Sequence, residues 1–184
     1  MMDDVQGLVV AVHRDDQHRF TKPTVDEIVL IEGVGIEGDA HSGALVQHLS
    51  RVRRDPAQPN LRQVHLIHSE LFDQVAADGF TMTPGLIGEN VTTRGVDLLA
   101  LSAGTRLRLG PDAVVEITGL RNPCVQINGV EDGLMKRLVS VDASGETVRL
   151  AGVMSIVLAG GTVRAGDVIA VELPAGEHRA LQPV

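Results

Sequence analysis

Short runs of Val, Ile, Leu and Thr, each cut off by a glycine within a few residues, limit what this chain can fold into more than any other feature. Such spacing suits strands with alternating inward and outward side chains, because an amphipathic helix needs a longer stretch of 3.6-residue periodicity. The 184 residues include 20 glycines, three Phe and no Trp or Tyr, so aliphatic and β-branched side chains must fill the core. An apolar share of 43% is enough for a core without disulfide or metal staples. The length fits one domain, 1–184, with a core over about 7–173 and a loose tail over 175–184.

Along the chain, Gly7 to Val12 and Val25 to Ile31 read as strands, separated by a polar segment ending in Thr21-Lys22-Pro23. A glycine-rich loop follows at 33–43, then a polar excursion at 47–62 that carries Arg51, Arg53 and Arg54. Gln63 to Ile67 alternates like a strand. Ser69 is placed to cap a helix that shows Leu71, Phe72, Val75 and Ala76 on one face and stops at Gly79. Val91 to Thr93, Thr105 to Leu109 and Val115 to Leu120 are further strands, and Glu131 to Val139 is a second helix. Ala151 to Leu158 and Val168 to Leu173 are expected to form a hairpin across Ala159-Gly160-Gly161. Ala103-Gly104-Thr105-Arg106-Leu107 and Ala165-Gly166-Asp167-Val168-Ile169 echo each other, as equivalent edges of one barrel would. About eight strands and two short helices predict a mostly-β fold, a small and partly closed β-barrel.

A net charge of −8 and an aromatic share of 2% argue against a nucleic-acid surface, which needs a concentrated positive face and stacking platforms. No apolar run is long enough to span a membrane, and the acidic start, Met1-Met2-Asp3-Asp4, is not that of a signal peptide. A single cysteine, Cys124, makes no internal disulfide, so a cytoplasmic location is expected.

Cys124 also has the most chemical potential. It follows Arg121-Asn122-Pro123 at the end of a strand, where proline cannot extend the ladder and a nearby guanidinium favours the thiolate. Read alone, it is as readily a small buried hydrophobe. The loop at 33–43 offers backbone amides for an anion, with Asp39 and His41 among its glycines, but its spacing matches no phosphate-loop fingerprint. Pro84 to Asn90 is a second glycine-hinged loop. His65 and His68 lack a neighbouring cysteine or a helix to align them, so a zinc site is set aside in favour of core or exposed histidines. Glu131-Asp132 reads as a helix N-terminus. Only Lys22 and Lys136 among the sixteen basic residues are lysines, and Lys136 follows no phosphate-binding loop. The chain itself is therefore not expected to bind pyridoxal phosphate. Lys22 could face an anionic ligand, though a polar loop is more often the place of a solvated lysine.

Taken together, GIEGDAHSG at 35–43, LRQVHLI at 61–67, PGLIGENVTTRGVDLLALSAGTRLRLG at 84–110 and VEITGLRNPC at 115–124 resemble a MOSC domain, the family named after the C-terminal part of molybdenum cofactor sulfurase. The resemblance runs from about Gly7 to Leu173 and looks like that of a stand-alone member, without the additional domains of larger relatives. It implies a β-barrel and a functional cysteine at Cys124. Family members either hold sulfur on that cysteine as a persulfide or bind molybdenum cofactor with it as a metal ligand, and some reduce N-hydroxylated compounds.

The resemblance carries over Cys124 as metal ligand and catalytic group with Arg121. It also carries over Lys22, Gly38, Asp39, His41, Glu89, Asn90, Thr92 and Asn122 as cofactor-binding candidates, with Asn and Thr side chains on the pterin edges. Three roles follow as expectations. The first is an oxidoreductase component that binds molybdopterin, acts on a small-molecule substrate and draws electrons from a partner protein. The second is a sulfur carrier, loaded by a cysteine desulfurase, for cofactor or metal–sulfur cluster maturation. The third is a non-catalytic cofactor store.

Overall fold

The computed structural model describes residues 6–123 and 125–184, with the backbone alone at Val125. Cys124 lies outside the described residues, as does the acidic start, Met1 to Asp4. The strands are β1 (Gln6–His13), β2 (Thr24–Val25), β3 (Glu27–Ile31), β4 (Gly35–Ile36), β5 (Val64–His68), β6 (Val91–Arg94), β7 (Arg106–Leu109), β8 (Ala113–Leu120), β9 (Val139–Val141), β10 (Thr147–Arg149), β11 (Val153–Ala159), β12 (Gly161–Arg164) and β13 (Val168–Glu172). The helices are α1 (Leu49–Val52), α2 (Glu70–Ala77) and α3 (Leu134–Leu138), with 3-10 turns at Leu98–Ala100 and Val125–Gly129.

The fold is mostly β, as expected, and the barrel is closed. Seven strands run in the order β13-β7-β8-β11-β5-β6-β1, and β1 returns to β13, while β2 extends the sheet from β1. Only β5 and β6 are parallel neighbours in that ring. Parallel neighbours need a crossover, and the segment carrying α2 supplies it. The alternation that marked β7 and β8 in sequence is the alternation of their burial, with Leu107, Leu109, Ala113, Val115 and Ile117 pointing inward. In β1 the pairing with β6 slips between Val9 and Ala11, and beyond the slip Ala11, Val12 and His13 are all buried. His13 is in phase with the inward set Gly7, Val9 and Ala11, and the residue that breaks the alternation beside the bulge is Val12.

A second apolar cluster joins Leu71 and Val75 of α2, Leu134 and Leu138 of α3, and Ile67, Ile87 and Ile127. Each such side chain contributes about 1.5–3 kcal/mol on full burial, so a charge at Leu71 would detach α2. Among the described residues no helix is long and apolar enough to cross a membrane.

Several local expectations need correcting. β11 and β13 form no hairpin: β12 follows Gly160 and pairs with β3, while β11 pairs with β8 and β5, and β13 with β7 and β1. The two strands after the echoed Ala-Gly motifs pair directly with each other, Ile169 opposite Leu109. The second helix starts at Leu134 because Gly133 takes a left-handed conformation, φ 85°, and Glu131 instead accepts from the Thr81 amide at 3.0 Å. The tail is docked. Leu120 N–H donates to Gln182 O at 2.9 Å, and Leu181 is buried at 7% exposure.

Candidate functional site

The loops at one end of the barrel surround a cleft of about 530 Å³, within the range of small-molecule sites. Its floor begins with Lys22. The polar loop that predicted a solvated lysine in fact buries it, because its ammonium reaches Asp39 Oδ2 at 2.6 Å, with both side chains at most 3% exposed. Asp39 collects further donors: the His41 amide at 2.9 Å on Oδ1, and the Asn90 side-chain amide at 3.1 Å on Oδ2. Burial alone would raise the Asp39 carboxyl. Hydrogen bonding from His41 and the Lys22 ammonium outweigh it and hold the group below the usual carboxylate range.

Asn90 is a brace. Its Oδ1 accepts from the His65 amide at 3.1 Å, and its Nδ2 donates to His13 O at 3.3 Å as well as to Asp39. It therefore ties β1, β5 and the 33–43 loop together, and its amide is fully engaged within the protein. His65, buried in β5, also lines the cleft. Its Nε2 lies 2.7 Å from Ala151 O and must donate to it, which leaves Nδ1 as an acceptor. Desolvation, reinforced by the charge of Arg121, keeps the ring neutral.

Glu89 and Thr92 do not reach the cleft. Both are wholly buried behind it. Glu89 Oε1 accepts from the Gly85 amide at 2.6 Å and from Thr92 Oγ1 at 3.2 Å, and Thr92 in turn lies 3.1 Å from His13 Nε2. Desolvation raises the Glu89 pKa and lowers that of His13 to about 4, so both groups favour their neutral forms. Gly85 shapes this wall. It has φ 83°, and a Cβ there would sit 2.2 Å from Lys22 O. Gly38 faces Arg14 outside the cleft.

Of the remaining candidates, His41, Arg121 and Asn122 line the cleft with Pro123. Arg121 lies over the Phe20 ring, 5.9 Å from its centre, and Asn122 Oδ1 accepts from Arg149 Nε at 3.0 Å. Cys124, next in the chain, is outside the described residues.

The other side of the cleft comes from residues that carry no motif in the sequence. The 47–62 segment is the mostly exposed excursion expected, but its course is not away from the barrel. It folds back over the opening, pinned where Leu45 bridges Pro59 and where Asn60 Nδ2 donates to His41 O at 3.0 Å and Gly43 O at 2.9 Å. It brings His48, Arg51, Arg53 and Arg62 to face Arg19, Lys22 and Arg121, and no carboxylate is among the described lining residues. The signal was available as a density of arginine in an acidic chain.

The arrangement can bind anions through fixed guanidinium and imidazole donors. Among the described residues, no group of three or more His, Asp or Glu side chains is arranged to hold a metal ion.

The same fold occurs in solved structures. The YUAD protein from Bacillus subtilis superposes with a TM-score of 0.73 at 23% identity, over 93% of this chain and 98% of that one. YiiM from Escherichia coli gives 0.61 at 20% identity, over 94% of this chain and 73% of that one. YiiM from Geobacillus stearothermophilus gives 0.64 at 15%, over 95% and 79%. At these identities the likeness speaks for the fold alone. No curated protein matches the sequence. The MOSC domain family matches residues 43–170, well over half of the chain, and the chain belongs to that family.

Proposed function

We propose that this MOSC protein binds the molybdenum cofactor in its cleft and acts as a component of an oxidoreductase, with Cys124 as the thiolate ligand. The observation that carries the reading is the lining. Six cationic side chains line the cleft with no carboxylate among the described lining residues of a chain whose net charge is −8; Asp39 and Asp15 stand behind Lys22 and Arg19, and of the others Arg62 and Arg121 are assigned to the cofactor. Assembling like charges is unfavourable unless an anion joins them, and a pterin phosphate is such an anion. A bare persulfide carrier has no use for that charge.

Arg62 and Arg121, whose charges both bear on His65, are suited to hold the phosphate. The Gly88 backbone and the neutral His65 Nδ1 offer hydrogen bonds to the ring system. The Lys22–Asp39 pair keeps the wall in place. When bound, the cofactor supplies two-electron oxygen-transfer chemistry. With one cysteine the chain has no cluster-binding set of its own, so electrons come from a partner protein.

The test is composition. Purified protein should contain molybdenum and pterin in near-equal amounts, lost in Cys124→Ala and reduced about tenfold or more in Arg62→Gln. Added sulfane sulfur on Cys124 without molybdenum would favour the sulfur carrier instead. A full cofactor load with no reduction of N-hydroxylated substrates under any donor would leave a cofactor store.

A further inference from the structure

The mouth of the cleft carries positive charge that the floor does not account for. At the floor Lys22 is matched by Asp39, and the exposed Arg19 lies 3.6 Å from Asp15. Arg51 and Arg53 stand on α1 and the residue after it, and among the described residues neither has a carboxylate within ion-pair distance. Three histidines stand with them: the His18 and His41 ring centres are 5.0 Å apart, and those of His41 and His48 are 6.2 Å apart.

The segment is not held there by its own apolar packing, since α1 contains no buried residue. It is fastened by its own buried Asn60, which donates to the 33–43 loop, and by the Leu45–Pro59 bridge. Desolvation first, and then the charges of Arg62, His41, Arg51 and Arg121, push the His48 pKa down to about 4. Lys22 and His65 are buried, whereas His48 and Arg53 are exposed, so the lining runs from a buried floor to an exposed mouth.

We propose that the mouth, built from Arg51, Arg53, His18, His41 and His48, is a second oxyanion subsite that selects substrates bearing a phosphate or carboxylate group. The assignment to substrate rests on the reading that the floor holds the cofactor. The substrate then enters with its charged group retained at the mouth and its reacting end directed inward, toward Phe20 and Met154. Two planar guanidiniums can grip either oxyanion through paired N–H donors.

Calorimetric titration of the purified protein with phenyl phosphate, benzoate and benzyl alcohol tests this, with molybdenum and pterin assayed on every sample. The anions should bind at least about tenfold more tightly than the neutral alcohol. The double variant Arg51→Gln/Arg53→Gln should lose about that factor for the anions while its molybdenum and pterin content and its circular dichroism stay unchanged. A preference for phenyl phosphate assigns the subsite to phosphate substrates, and a preference for benzoate to carboxylates.

Equal binding of charged and neutral probes would overturn the proposal. So would loss of molybdenum and pterin in the double variant, which would give the mouth to the cofactor, or anion binding that depends on Arg62 alone. Protein without molybdenum or pterin that still binds anions through Arg51 and Arg53 would retain the subsite and sink the cofactor reading, so the two failures are distinct.

Discussion

Lys22 and Asp39 form a buried ion pair, and breaking such a pair costs more than the pair contributes, because one charge is left without its partner. Asp39→Asn strands the ammonium and should destabilise the fold by about 3–5 kcal/mol in urea titrations. Lys22→Met should cost less, since Asp39 keeps its hydrogen bonds from His41 and Asn90. His13 sets a pH dependence. Its ring titrates near 6.5 when unfolded and about 4 when folded. Between those values the unfolded chain takes up a proton that the folded state refuses, so stability falls as pH falls, by up to about 3 kcal/mol. Unfolding midpoints at pH 7 and pH 4.5 should diverge in wild type, and His13→Gln should narrow the gap. Asp39 acts lower down: its contribution is complete above 3.8 and is lost as pH falls from there through its depressed folded value.

The loop between α2 and β6 transmits its shape to the cleft through Gly85, whose carbonyl accepts from the Lys22 amide at 2.9 Å. Gly85→Ala should lower Tm by at least about 3 °C and weaken anion binding together with it. At this scale the sequence was legible where a pattern is local. β7 and β8 alternate because one face meets the core, and the helix at 70–77 shows Leu71 and Val75 at a four-residue spacing. It was not legible where partners are set by barrel register: Gly160-Gly161 resembles a tight turn, yet the next strand joins β3 in another sheet. The site divides in the same way. The glycine loop at 33–43 stood out, but Thr92 and Glu89 turned out to face the interior. Arg51 and Arg53 looked like solvent-facing residues because their role arises only when residues 47–62 fold back over the cleft.

For the whole molecule, residues 175–184 seal an edge. Leu181 fills the core beside β8, and Val184 N–H donates to Leu120 O at 3.3 Å. A chain ended after Leu173 should lose about 1.5–3 kcal/mol from Leu181 alone and show a lower Tm by scanning calorimetry. Ring closure has a kinetic side as well. The seam joins Leu8 to Val168 and Gly7 to Ile169, contacts between segments nearly the full chain apart, which places refolding toward the slow, millisecond-to-second end of the two-state range. During synthesis, β1 emerges from the ribosome long before its partner exists. Until residues 168–172 follow, the flanks of β1 and β7 that will meet β13 are open strand edges, the kind of surface that chaperones shield and that nascent chains use to aggregate. A stalled nascent chain ending before Val168 should therefore remain sensitive to protease, and release of the completed chain should remove that sensitivity.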